Sequence, residues 1–232
     1  MNAKPFKNVG WLGIAVALTS VLLMLVLPAK AGPMPRGFIT PVIAFEFIET
    51  PAEVETLFSG PDAGAILAAM DLGNRIDFVY MILYSGFLFW FAWTAYRLSG
   101  IRMLYIVMLL SVVVLLGDLL ENLQLLSITE KLRSESYQGK DIQGELGLLQ
   151  IFTWQKWGGL ALSFLCLIPY WIQGSRFAIS LAFASIVTAA LGMAAFVYRS
   201  VLNEIFAIAV ALMFLLMIVF CFVHRKPFER SE

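Results

Sequence analysis

The chain has 232 residues, of which 60% are hydrophobic and only 14% charged; soluble domains usually carry about 25% charged residues, so a soluble domain is excluded. Lys and Arg number 16, as do Asp and Glu, so the net charge is zero and no basic surplus points to nucleic acid. A single histidine, His224, and two cysteines in apolar runs, Cys166 and Cys221, argue against a disulfide framework, a thiolate metal site or a haem held by two histidines, and no metal or cofactor is expected.

Six apolar runs, at roughly 10–28, 76–97, 102–126, 147–172, 177–198 and 202–223, reach the length of about 20 residues that crosses about 30 Å of hydrocarbon. Backbone polar groups find no water there, so the runs must be helices. The fold class expected is an all-α integral membrane protein, a six-helix transmembrane bundle in a single membrane domain covering 1–232. The first run has two readings. Lys4 and Lys7 before it and Ala29-Lys30-Ala31 after it fit a cleaved signal peptide. The apolar stretch from Trp11 to Leu27 is longer than the usual core of about 7–15 residues and favours a retained anchor.

Between the first two runs, 29–75 reads as an extracytoplasmic helical cap lying on, or dipping into, the outer face. It opens with Gly32-Pro33-Met34-Pro35, a turn-forming stretch. Thr50-Pro51-Ala52-Glu53 is a capping-box helix start with Pro at the first helical position. Gly60-Pro61 breaks that helix, and Ala63 to Asn74 can form another. Val42, Ile43, Phe45, Phe47 and Ile48 are too apolar for a free loop, although an interfacial element that only seals the bundle would look the same.

The joints around Arg97–Arg102 and Arg176, with Lys4, Lys7, Arg225, Lys226 and Arg230 at the termini, are short and basic. The 29–75 and 127–146 segments dilute their basic residues with Glu46, Glu49, Glu53, Glu55, Asp62, Glu130, Glu135, Asp141 and Glu145. The positive-inside rule then places both termini in the cytoplasm.

One polar constellation interrupts the apolar runs. In "GDLLENLQLL", Asp118, Glu121 and Asn122 are spaced i, i+3, i+4 and share a helix face. At 1.5 Å per residue, Asp118 lies about 12 Å below Leu126, and Lys156 in "LLQIFTWQKWGGLAL" lies about 12 Å below Leu148 on the next, antiparallel span. Charges at mid-span cost about 2.5–3.5 kcal/mol, so such residues face inward and pair. Lys156 is expected to pair with Asp118 or Glu121. Asp77, Tyr80 and Tyr84 share a face of the second span at the same level.

Asp77, Tyr80, Tyr84, Asp118, Glu121, Asn122, Lys156 and Trp157 are therefore the ligand-binding candidates. Asp118, Glu121 and Lys156 sum to −1 when ionised, leaving room for a proton, Arg75 or a ligand cation. The competing reading is a structural ion-pair network that holds helix register. Gly158 and Gly159, with Gly13, Gly86 and Gly192, read as packing sites. Phe87, Phe89, Phe91, Trp90 and Trp93 read as lipid-facing, and Tyr105 and Tyr170 as interface anchors.

The order "PVIAFEFIETPAEVETLF", "RIDFVYMILYSGF", "GDLLENLQLL" and "FTWQKWGGLAL", over roughly residues 40–170, resembles a group of uncharacterised bacterial integral membrane proteins with an Asp-x-x-Glu-Asn motif in one span and a Lys in the next. The resemblance implies a multi-pass protein of the bacterial inner (plasma) membrane and brings no activity with it.

No H-E-x-x-H, G-x-S-x-G or phosphate loop is present, and no inverted repeat is visible. The expected function is binding or transport of a polar or amphipathic, lipid-like ligand at an outer-leaflet polar pocket. The alternatives are an intramembrane enzyme using Asp118, Glu121 and Lys156 for acid–base or Schiff-base chemistry, and an accessory subunit with a structural ion pair. Expected partners are the lipid bilayer, a lipid or small amphipath, and a second copy or a membrane-complex partner; nucleic acid is not among them.

Overall fold

The computed structural model describes residues 5–134 and 137–223, with Lys140 by its backbone only. Lys4, Glu135, His224, Arg225, Lys226 and Arg230 lie outside the described residues.

The described chain is helical: α1 (Lys7–Val26), α2 (Pro41–Glu46), α3 (Pro51–Leu57), α4 (Ala63–Ser99), α5 (Leu104–Leu132), α6 (Gln143–Cys166), α7 (Ile168–Trp171), α8 (Arg176–Val197) and α9 (Val201–Val223), with a short 3₁₀ turn at Gly139–Ile142 before α6. Six helices are long and apolar enough to cross a membrane, α6 continuing through α7 to Trp171. They pack in a ring, α1 against α4, then α5, α6, α8 and α9, which closes back on α1.

Three boundaries differ from the sequence reading. The helix of the second span does not begin near residue 76 but extends into the stretch read as cap. A single 37-residue helix starts at Ala63, because nothing between Ala63 and Asn74 stops it once Gly60, at φ +98°, has broken the chain. At about 55 Å it exceeds the hydrocarbon core by far, so its first turns stand on the cap side. There Asp71 binds Arg133 at 2.6 Å and accepts a hydrogen bond from Thr129 at 2.6 Å. α5 likewise runs past Leu126 to Leu132. α6 starts at Gln143 and gives way to α7 at Pro169, which has no N–H to continue the ladder. At the opposite end, α4 stops at Gly100, whose φ of +73° suits glycine and turns the chain into α5.

The end of the ring away from the cap is filled by aromatic side chains. Phe6 and Phe91 are 4.9 Å apart, Phe91 and Trp171 5.3 Å, and Trp171 and Phe220 5.0 Å between ring centroids. This corrects two expectations. Phe87 and Phe91 are buried rather than lipid-facing, whereas Phe89, Trp90 and Trp93 are exposed; Tyr170 is buried in this cluster and is no interface anchor.

The other end is plugged by α2, which reaches in between α5, α6 and α9. Ala44, Phe45, Phe47 and Ile48 are almost fully buried, so the segment dips into the bundle. Short backbone pieces at membrane depth need partners for their free ends. The Glu204 carboxylate of α9 accepts from Ile39 N at 2.9 Å, Thr40 N at 2.8 Å and Thr40 Oγ1 at 2.7 Å, at the N-terminal end of α2. At the other end, Thr153 Oγ1 donates to the Glu46 carbonyl at 3.1 Å and Gln150 Nε2 to the Ile48 carbonyl at 2.6 Å. α3 begins with the expected Thr50–Glu53 capping box. Glu53 also grips Arg199 in a two-pronged pair, at 2.8 and 3.0 Å.

Two predictions follow from these clamps. Glu204→Ala leaves the N–H groups of Ile39 and Thr40 without an acceptor and should lower stability by about 3 kcal/mol; thermal unfolding in detergent, with proteolysis of residues 29–62 as a second readout, checks it. Burial pushes the Glu53 carboxyl up, but the hydrogen bonds from Arg199 and the backbone N–H of Glu49 outweigh it and hold the group below its ordinary 4.5. The stability contributed by this pair is therefore complete above pH 4.5 and lost as pH falls through the lowered value. Arg199→Gln should lower the melting temperature at neutral pH, and the difference from wild type should close on acidification well below pH 4.5.

Candidate functional site

The site is assembled where α5 and α6 come closest. Two glycines permit the approach: a Cβ on Gly117 would lie 3.1 Å from the Lys156 backbone nitrogen, and one on Gly159 would lie 2.6 Å from Val114 Cγ2. Gly158, expected to share this role, faces open space. Gln155 Nε2 adds a hydrogen bond to the Val113 carbonyl at 2.9 Å. On α5, Asp118, Glu121, Asn122 and Leu125 are all buried on the inner face, as their spacing requires. On α6, Thr153, Lys156, Trp157 and Leu160 face them.

Lys156 is held by three carboxylates. Its Nζ lies 2.6 Å from Glu121 Oε2, 3.2 Å from Glu46 Oε2 and 3.4 Å from Asp118 Oδ1. The pairing expected from equal depth is present, with Glu121 as the nearest partner. The Tyr84 hydroxyl donates to Asp118 Oδ2 at 2.5 Å. Asn122 Nδ2 donates to Asp77 Oδ2 at 2.6 Å and to Asp118 Oδ1 at 3.4 Å. Trp157 Nε1 donates to Glu46 Oε2 at 2.9 Å, and Lys156 Nζ stands 5.3 Å from the Trp157 ring centre. Tyr80 packs on Tyr84 at 5.2 Å.

Glu46 is the member that sequence reading missed. In the sequence it stands only among the acids diluting the charge of the cap. The available signal was its isolation, as the one charged residue between Phe38 and Ile48. With it, four carboxyls (Glu46, Asp77, Asp118, Glu121) surround one ammonium, a formal charge of −3 when all are ionised. Arg75 does not neutralise it, being exposed and in no ion pair among the described residues. Glu121 Oε1 is buried with no hydrogen-bond partner.

One side of this cluster forms the end wall of a cavity of about 240 Å³. Glu46, Asp77, Tyr80, Tyr84, Asp118, Lys156 and Trp157 line it, so six of the eight sequence candidates, with Glu46 added, share one surface. Glu121 and Asn122 stand behind that wall and position it. Apart from Ser20 of α1, the remaining walls are apolar, among them Leu23 and Met24 of α1, Leu160 of α6, and Val210, Ala211 and Phe214 of α9. Met24 and Ala211 are exposed on the outer surface of the ring, so they mark a mouth between α1 and α9 that faces sideways, toward the bilayer. A larger groove of about 350 Å³ between α6, α8 and α9 is lined by apolar and small residues such as Leu162, Met193 and Phe196 and presents no such charged end.

Compared with known protein families, with curated proteins and with solved structures, the chain matches none of them.

Removing Lys156 would strand three carboxylates, and breaking a buried pair costs about 3–5 kcal/mol. Lys156→Met should therefore destabilise by about that amount, and adding Glu121→Gln should restore part of it. A double-mutant cycle read by unfolding in detergent should give a larger coupling for Lys156 with Glu121 than with Asp118.

Proposed function

We propose that the protein binds an amphipathic, lipid-like ligand from the bilayer, with the ligand's polar head against Asp77, Tyr80, Tyr84, Asp118 and Lys156 and its chain leaving between Met24 and Ala211. The observation carrying this reading is the cavity: apolar walls open to lipid, ending on converging polar groups. The positive-inside pattern supports cytoplasmic termini and, with them, a cavity on the outer-leaflet side; the motif resemblance supports a bacterial inner membrane as its setting. Aromatic packing at the opposite end favours a one-sided site over an open channel. Binding is favoured over Schiff-base catalysis because Lys156 is engaged by three carboxylates, and an ion-paired ammonium has no lone pair for attack.

The test is mass spectrometry of protein purified in mild detergent. A lipid or other amphipath should be enriched over its share of the membrane, and Ala211→Trp, which closes the mouth, should remove it without unfolding the protein. Recovery of membrane lipids only in bulk proportions would refute the proposal.

A further inference from the structure

We propose that the head accepted by this cavity is cationic, a primary or quaternary ammonium carried on an apolar chain. This rests on the reading of the cavity as an amphipath site and assigns the class of ligand. Lys156 is the only cation among the described residues lining the cavity, facing Glu46, Asp77 and Asp118 in the same lining. Behind it, Glu121 is fully buried and its Oε1 has no partner, so the cluster holds more acceptor capacity than the protein uses.

The lining carboxylates also have capacity to spare. Asp77 binds Asn122 through Oδ2 and Glu46 binds Lys156 and Trp157 through Oε2. Asp77 Oδ1 and Glu46 Oε1 have no hydrogen-bond partner among the described residues. A surplus of buried negative charge calls for a counter-charge. An anionic head would add to the surplus, and a neutral one would leave its compensation to protons taken up by the carboxyls. A primary ammonium supplies the missing charge and the missing donors together, and a quaternary one supplies the charge.

The aromatic surroundings fit the same chemistry. Tyr80, Tyr84, Trp157 and Phe214 line the cavity, with Tyr84 and Phe214 5.8 Å apart. Ring faces attract ammonium groups, including quaternary ones that donate no hydrogen bond. A bare metal ion suits the place less well, since the point where Glu46, Asp118 and Glu121 converge is occupied by the Lys156 ammonium and no metal-holding group of side chains is found among the described residues. The cavity, at about 240 Å³, is below the usual 300–1,000 Å³ of a site enclosing a whole small molecule. It holds a head and the first part of a chain, and the rest lies in the bilayer.

The experiment uses the full chain in lipid nanodiscs and three probes of equal chain length, decyltrimethylammonium, decyl phosphate and decanol. Saturable binding is measured above that of empty nanodiscs. The ammonium probe should bind saturably, one per chain, and at least about tenfold more tightly than the other two. Asp77→Asn, which keeps an oxygen for Asn122, should weaken the ammonium probe by about tenfold while leaving the unfolding temperature near that of wild type. Equal or tighter binding of decyl phosphate or decanol would overturn the cationic class and leave the amphipath site standing. Saturable binding of none of the three would overturn both. Unchanged ammonium binding by Asp77→Asn would remove the charge from the explanation.

Discussion

A single ammonium buried deep in an apolar bundle dominates the energetics of this fold. Taking a lysine out of water costs several kcal/mol unless opposite charge and hydrogen-bond acceptors meet it. Lys156 meets three carboxylates, and they come from different parts of the chain: Asp118 and Glu121 from α5, Glu46 from the tip of α2. The condition for burying Lys156 is thus the condition for bringing α5, α6 and the cap together. The contact also explains two glycines, since Gly117 and Gly159 let the backbones approach closely enough for short side chains to meet the ammonium.

The cap obeys a second constraint that follows from the first. To deliver Glu46, a six-residue helix and its flanking backbone must enter a region where unpaired N–H and C=O groups are costly. The bundle answers from two sides. Glu204 takes the N–H groups before α2, while Thr153 and Gln150 take the carbonyls at its end. Thr153, Lys156 and Trp157 lie on one face of α6, so that helix both holds the backbone of the cap and binds its carboxylate.

The two ends of the ring are therefore unlike. One is closed by interlocking aromatic rings around Phe91, Trp171 and Phe220. The other is polar, charged and incompletely filled, its cavity lined in part by α1 and α9. A purely structural ion pair needs two partners. Here the surplus acceptors and the unfilled volume coincide, and that coincidence is what supports the proposed ligand site over a helix staple.

Much was legible in the chain itself. The spans follow from apolar length, the shared face of Asp118, Glu121 and Asn122 from helical spacing, the level of Lys156 from helical rise, and the start of α3 from its capping box; all of these are local rules acting over a few residues or one helix. Glu46 as the third partner of Lys156, the burial of Phe87 and Phe91 but not Phe89, and the mouth between Met24 and Ala211 were not legible. In a membrane span, lipid and protein interior accept the same apolar side chains, so no periodic pattern tells the inner face from the outer. Which way each helix turns, and which distant segment meets it, is decided only when the buried charges and backbone ends of the whole bundle find their partners at once.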